Sequence, residues 1–209
     1  MSPLTKRMTT TIHYQPQNFD FLLGTTGFSD ELLKNHFKLY EGYVKNTNEL
    51  IDTFASYEND DRSKDQAFAD HKRRFSWEFN GMRLHEYYFG NMTKNSVLPD
   101  PKNGLSEKIL EDFGSFENWS QEFFAVGAMR GIGWVLLAYD KDADKLINLW
   151  INEHDLGILV GTEPILVMDV FEHAYLTDYG LEREPYISAF MGTINWLKVG
   201  CWFDTQKKP

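Results

Sequence analysis

The sequence predicts an α+β fold, helical in its first half and mixed in its second. Two long amphipathic patterns fill the chain up to Met92. A stretch of breakers, Asn95–Gly104 with Pro99, Pro101 and Gly104, then divides it. Short apolar runs bounded by turn residues appear only beyond that point. This division places an N-terminal helical domain at 1–98 and a C-terminal α/β domain at 99–209.

Over Ser29–Asn48, Leu32, Leu33, His36, Tyr40, Tyr43 and Val44 fall roughly on one face at helical spacing. Ser29 with Glu31 marks the start, although the spacing of a capping box is not met. Glu49–Phe54 continues the pattern, and polar Tyr57–Lys64 reads as a turn. A second helix is expected over Gln66–Met92. After the linker, Ser106–Phe113 and Phe116–Arg130 read as helices, and Gly131 and Gly133 break the pattern. Trp134–Tyr139 and Leu146–Asn152 read as strands joined by the turn Asp140–Asp144, with Ile165–Asp169 a third candidate. Glu184–Val199 closes the chain as one helix, with Pro185 near its first turn, where proline is tolerated.

Composition narrows the function. A net charge of −10 without a basic run speaks against nucleic acid. No apolar run is long enough to span a membrane. A hydrophobic fraction of 42% with 15% aromatics is enough for a real core. The single cysteine, Cys201, has no internal partner, and Met1–Thr11 lacks the apolar stretch of a secretory signal. Both fit a reducing, cytoplasmic setting.

The chemistry lies with six histidines: His13, His36, His71, His85, His154 and His173. Taken singly, His36 and His85 read as core histidines on apolar helix faces. Asp169-Val-Phe-Glu-His173 is more informative, because it puts a carboxylate and an imidazole four apart behind an apolar run. If the segment turns helical there, the two side chains converge. Once buried, they need a partner. A metal ion supplies one, a salt bridge or helix cap supplies another, and spacing leaves the two near even. Three imidazoles and a carboxylate suit zinc, iron or manganese. Zinc would favour hydrolysis through bound water; iron or manganese would permit one-electron chemistry. A two-histidine, one-carboxylate oxygenase would leave one histidine unused. Ligand counting does not choose among these.

Ordered motifs carry a resemblance that does choose. Asp169-Val-Phe-Glu-His173-Ala-Tyr175 closely resembles the D-x-W-E-H-A-Y signature of the iron/manganese superoxide dismutase family. From Phe28 onward further matches follow in order. They are His36 with the pair Tyr43-Val44, Asn80-Gly81-Met-Arg-Leu-His85-Glu-Tyr-Tyr88, Phe113-Gly-Ser-Phe116 and Gly131-Ile-Gly-Trp134. Asp178-Tyr179, then Arg183 and Tyr186, then Asn195-Trp196 close the series. The resemblance implies an N-terminal helical hairpin followed by an α/β domain with a three-stranded antiparallel sheet. Between the two halves would sit one iron or manganese ion per chain, leaning to iron, on His36, His85, Asp169 and His173. The implied activity is conversion of superoxide to oxygen and hydrogen peroxide.

It also implies roles near the metal. Tyr43 matches the tyrosine that guards the substrate channel, and Trp134 the tryptophan that walls the pocket. His154 stands in the region where most members carry a glutamine bonded to the metal's solvent, with Gly81 as the small residue that accompanies a donor from the second half. Glu172 and Tyr175 match residues that reach across a homodimer interface, Glu172 toward the partner's copy of His173.

The sequence also departs from the family pattern. His36 and Tyr43 are seven apart where eight is usual, so the helix must adjust locally or Tyr43 must point elsewhere. Tyr40 replaces a histidine and is expected to meet Tyr175 across the interface. Phe171 replaces the signature tryptophan, and Gly180 replaces a basic residue of the substrate funnel. A chain of charge −10 repels an anionic substrate at long range, which leaves the metal and Arg183 as sources of local positive potential. Two other readings remain open at this point: a metal-binding member without useful turnover, and a mononuclear iron oxygenase with only three protein ligands.

Overall fold

A computed structural model of the chain describes residues 12–59 and 62–207. Met1–Thr11, expected to hold no secretory signal, lies outside the described residues. Ser29 starts the first helix as expected: its Oγ accepts a hydrogen bond from Leu32 N at 3.0 Å, satisfying an otherwise orphaned donor. The helix, α1 (Asp30–Asn59), runs unbroken past Phe54 and takes in Tyr57. Tyr57 therefore belongs to α1 and not to the following turn. It is buried against Phe68 and hydrogen-bonds His71 Nδ1 at 3.1 Å, so the turn residues proper come later. Helix α2 (Gln66–Gly90) packs along α1 as a hairpin.

Asn91 ends α2 and joins it to the rest of the molecule. Its side chain is buried; Nδ2 donates to Tyr88 O at 2.8 Å and Oδ1 accepts from Val167 N at 2.9 Å. Its carbonyl accepts from Asn195 N at 2.8 Å. Beyond the linker come α3 (Gly104–Phe113), capped by Asn103, and α4 (Phe116–Ala128), capped by Ser115. Then follow β1 (Gly133–Asp140), β2 (Lys145–Asn152) and β3 (Thr162–Asp169). They form an antiparallel sheet in the order β2-β1-β3. The expected fold class is thus the observed one. Gly133 has φ of 144°, and a Cβ there would stand 2.0 Å from the Ile151 carbonyl oxygen, so only glycine admits this close approach of β1 to β2.

The register sets up the site. Trp134 on central β1 pairs with Asp169 on β3, at the end of the sheet nearest the helical hairpin. The strands carry apolar side chains into a core shared with α2, α4, α6 and α7. Here α5 is the single turn Leu176–Tyr179, α6 is Arg183–Met191 and α7 is Trp196–Gln206. The closing segment is two helices and not the single helix expected over Glu184–Val199. The turn 192–195 separates them, with Ile194 bridging to Met92 and Asn195 Oδ1 capping α7 by accepting from Lys198 N at 3.1 Å. Helical periodicity does not reveal this break, because the apolar positions on both sides bury in one core.

Candidate metal centre

Four donors converge from four elements of the fold. His36 sits on α1, His85 on α2, Asp169 ends β3, and His173 follows in a 3-10 turn, Glu172–Ala174. Asp169 and His173 converge without a continuous helix between them. The chain leaves the strand through a bend, held by Phe171 N donating to Asp169 Oδ1 at 2.8 Å, and the short turn then brings His173 back. Asp169 Oδ2 lies 3.0 Å from His173 Nε2, 3.2 Å from His36 Nε2 and 3.6 Å from His85 Nε2. One ligand atom from each residue falls within 4.8 Å of all the others. Atoms held about 2.1 Å from one ion stand about 3.0–3.6 Å apart at angles of 90–120°, so the cluster has the span of a coordination sphere.

The chemistry of the donors fits as well. Nε2 of His36 and of His85 is buried and makes no hydrogen bond, a costly state unless a cation takes the lone pair. Nδ1 of His85 donates to Gly81 O at 2.5 Å, which leaves the Nε2 lone pair facing the cluster. Burial lowers His36 to about 4 and holds His85 well below its ordinary value, so both rings are neutral. Burial alone would raise the Asp169 carboxyl, but His173 and His36 beside it keep it well below the carboxylate range. Three imidazoles and one carboxylate are a set suited to iron, manganese or zinc.

Around the donors, Tyr43 stacks on His85, with ring centroids 5.2 Å apart and planes at 29°. The seven-residue step from His36 is just under two helical turns, so Tyr43 reaches the site from a regular helix and no local adjustment is needed. Gly81 makes the stacking possible, since a Cβ there would lie 2.6 Å from Tyr43 Cδ1. Tyr43 Oη is 2.7 Å from His154 Nε2. His154 comes from the loop after β2, yet it is 0% exposed. Trp134 Nε1 donates to His154 Nδ1 at 3.0 Å. An indole N–H only donates, so Nδ1 carries no proton. Burial lowers His154 to about 4, which leaves the ring neutral with its one proton on Nε2. That N–H donates to Tyr43 Oη, and the phenol proton is left to point elsewhere. Burial, then Asp169, raises the Tyr43 phenol well above its ordinary range, so it keeps that proton.

The expected interface residues separate. Glu172 is exposed beside His173, whose side chain is 29% exposed. Tyr175 is buried, and its hydroxyl accepts from Arg183 Nη2 at 3.2 Å. Tyr40 is buried within its own chain. Its hydroxyl accepts from Gln17 N at 2.9 Å and donates to Glu86 at 3.1 Å inside its own chain, behind the site. Arg183 is committed too, to Met129 O at 2.7 Å and Gly131 O at 2.6 Å, so it is a structural clamp and not a free cation. His13 and His71 lie elsewhere, on Asp52 and Tyr57.

Two neighbours carried no role in the sequence reading. Tyr186 Oη donates to Asp169 O at 2.5 Å and fixes the backbone under the carboxylate. Trp77 lies 4.7 Å from the His154 ring. Tyr186 sits inside a matched motif, whereas Trp77 is an unmarked aromatic on a helix.

Residues 101–201 match the profile described as the C-terminal domain of iron/manganese superoxide dismutases. The chain is 37% identical to manganese superoxide dismutase 2 of Haloferax volcanii over 162 residues, 78% of this chain and 79% of the relative. It is 34% identical to the iron superoxide dismutase of Aquifex pyrophilus over 201 residues, 94% of this chain and 91% of the relative. With the iron superoxide dismutase of Cupriavidus metallidurans it shares 36% over 183 residues, 85% and 89% of the two chains.

Proposed function

This chain belongs to the iron/manganese superoxide dismutase family, and we propose that His36, His85, Asp169 and His173 hold its metal ion. It is a superoxide dismutase. The single observation that carries the ligand assignment is the pair of buried, unpartnered Nε2 atoms facing a buried carboxylate. The fourth donor speaks against the oxygenase reading, which needs only three.

When bound, iron or manganese would supply one-electron chemistry between its trivalent and divalent states, which superoxide disproportionation requires. The protein supplies geometry, charge and protons. Asp169 stays ionised and contributes the one negative charge among the donors. The neutral imidazoles offer lone pairs without adding charge. Peroxide formation consumes protons, and Tyr43 and His154 are the pair placed to handle them. His154 Nε2–H holds Tyr43 Oη, and Tyr43 keeps its own proton. Trp134, fully buried against His85 and His154, limits water beside them.

Iron is proposed as the native ion, although relatives are named for both metals. Metal analysis of protein from its native host, with activity measured for each reconstituted form, tests this: one manganese per chain with an inactive iron form would overturn it. A homodimer is proposed on the exposed Glu172 next to the partly open His173. The Glu172 carboxylate is then a ready acceptor for Nδ1 of the partner's equivalent ring. Glu172→Ala should weaken both dimer and metal retention, by about 10–100-fold for the metal. Sedimentation with metal analysis checks it, and an unchanged dimer with a full site would reject it. A cytoplasmic location is proposed on the lone, exposed Cys201.

A further inference from the structure

Two hydrogen bonds hold His154, one from Trp134 to Nδ1 and one from Nε2 to Tyr43. Both act in the ring plane, at its two nitrogens. A half-turn of the ring would put carbon where each nitrogen now stands and break both bonds. Packing on the faces of the ring adds to the resistance against such a turn. Phe171 lies nearly parallel to it, with centroids 4.8 Å apart and planes at 29°. Trp77 crosses it at 74°, centroids 4.7 Å apart. Phe171 also lies along His173, 5.2 Å away at 18°, so its plane is tied to a candidate ligand. Trp77 is held in turn: the Arg74 guanidinium sits 5.2 Å over its ring, and Arg74 Nε is fixed to Glu78 at 2.7 Å.

We propose that Phe171 and Trp77 are positioning residues that clamp the His154 ring, so that it holds one tautomer and presents its single N–H to Tyr43. This rests on the reading of His154 as part of the proton-handling pair. A flat aromatic face is what each position requires. Phe171→Tyr and Trp77→Phe should behave as wild type, whereas Phe171→Leu and Trp77→Leu should free the ring.

The test is the ¹⁵N spectrum of histidine-labelled full-length protein loaded with zinc, which is diamagnetic. Wild type should show His154 as a single neutral form protonated at Nε2. Each leucine variant should show both tautomers, keep its metal content in the iron or manganese form, and lose about 10-fold in turnover. A single Nε2–H form in both leucine variants overturns the proposal. If Phe171→Leu fails to fold, Trp77→Leu decides alone, since that side chain is only partly buried. His154→Ala separates the two levels. Full turnover in that variant sinks the proton-handling reading, while the tautomer spectra still judge the clamp.

Discussion

The two halves of the site are held in place by different physics. On the hairpin, His36, Tyr43 and His85 are placed by helical register and by apolar packing of α1 on α2. On the sheet side, Trp134, His154, Asp169 and His173 sit at strand ends and in loops, fixed by individual hydrogen bonds such as Phe171 N to Asp169 and Tyr186 Oη to Asp169 O. A helix distributes the task of aiming a side chain over many weak contacts. A loop concentrates it in a few polar ones, each costly to leave unmade. The helical half should therefore tolerate change gradually, and the loop half should fail at single points.

Acid should affect both halves at once and most strongly. His36 on the hairpin and His154 on the loop are each lowered from 6.5 to about 4 by burial. In the unfolded chain they take up protons as pH falls through about 6.5; in the fold they resist until about 4. The unfolded state binds more protons between these values, so stability is complete above about pH 6.5 and is lost as pH falls toward 4. The loss is on the order of 3 kcal/mol per histidine. Denaturant titrations of the metal-free protein across this range check it, and a flat profile would contradict it.

Asn91, where the halves meet, comes next. Asn91→Ala strands Val167 N and the Tyr88 carbonyl without partners, at a cost of about 3 kcal/mol. Chemical denaturation measures the cost, and a loss below about 1 kcal/mol would show that the joint is not where the halves are fastened.

Gly81→Ala tests the gradual half. Overpacking against Tyr43 costs about 1–3 kcal/mol, partly offset by about 1 kcal/mol of helix propensity. The net loss should be about 1 kcal/mol, with turnover reduced and metal content unchanged. Equal turnover would mean that the Tyr43 stacking on His85 is not needed.

The same contrast decides what was legible in the sequence. The helices carried their own periodicity, so α1, α2 and the place of His36 and His85 on inward faces could be read directly. Nothing in periodicity brought Asp169, His173 and His154 together; only the ordered motifs did. Four-residue spacing is equally compatible with a helix and with a strand end followed by a short turn, so the bend at Val170–Phe171 could not be read from it. The partners of the Tyr40 hydroxyl, Gln17 and Glu86, come from segments far apart in sequence, so no local pattern shows them. The break at 192–195 was invisible because both flanking helices bury the same kind of side chain.

The most direct measurement pairs metal content with dismutation in wild type and His173→Ala, expressed and loaded identically. His173 is the most exposed of the four donors, so its loss disturbs packing least. Wild type should hold one iron or manganese per chain and dismute superoxide. His173→Ala should fold, lose the metal and lose the activity together. A variant that keeps both in full would contradict the four-donor centre.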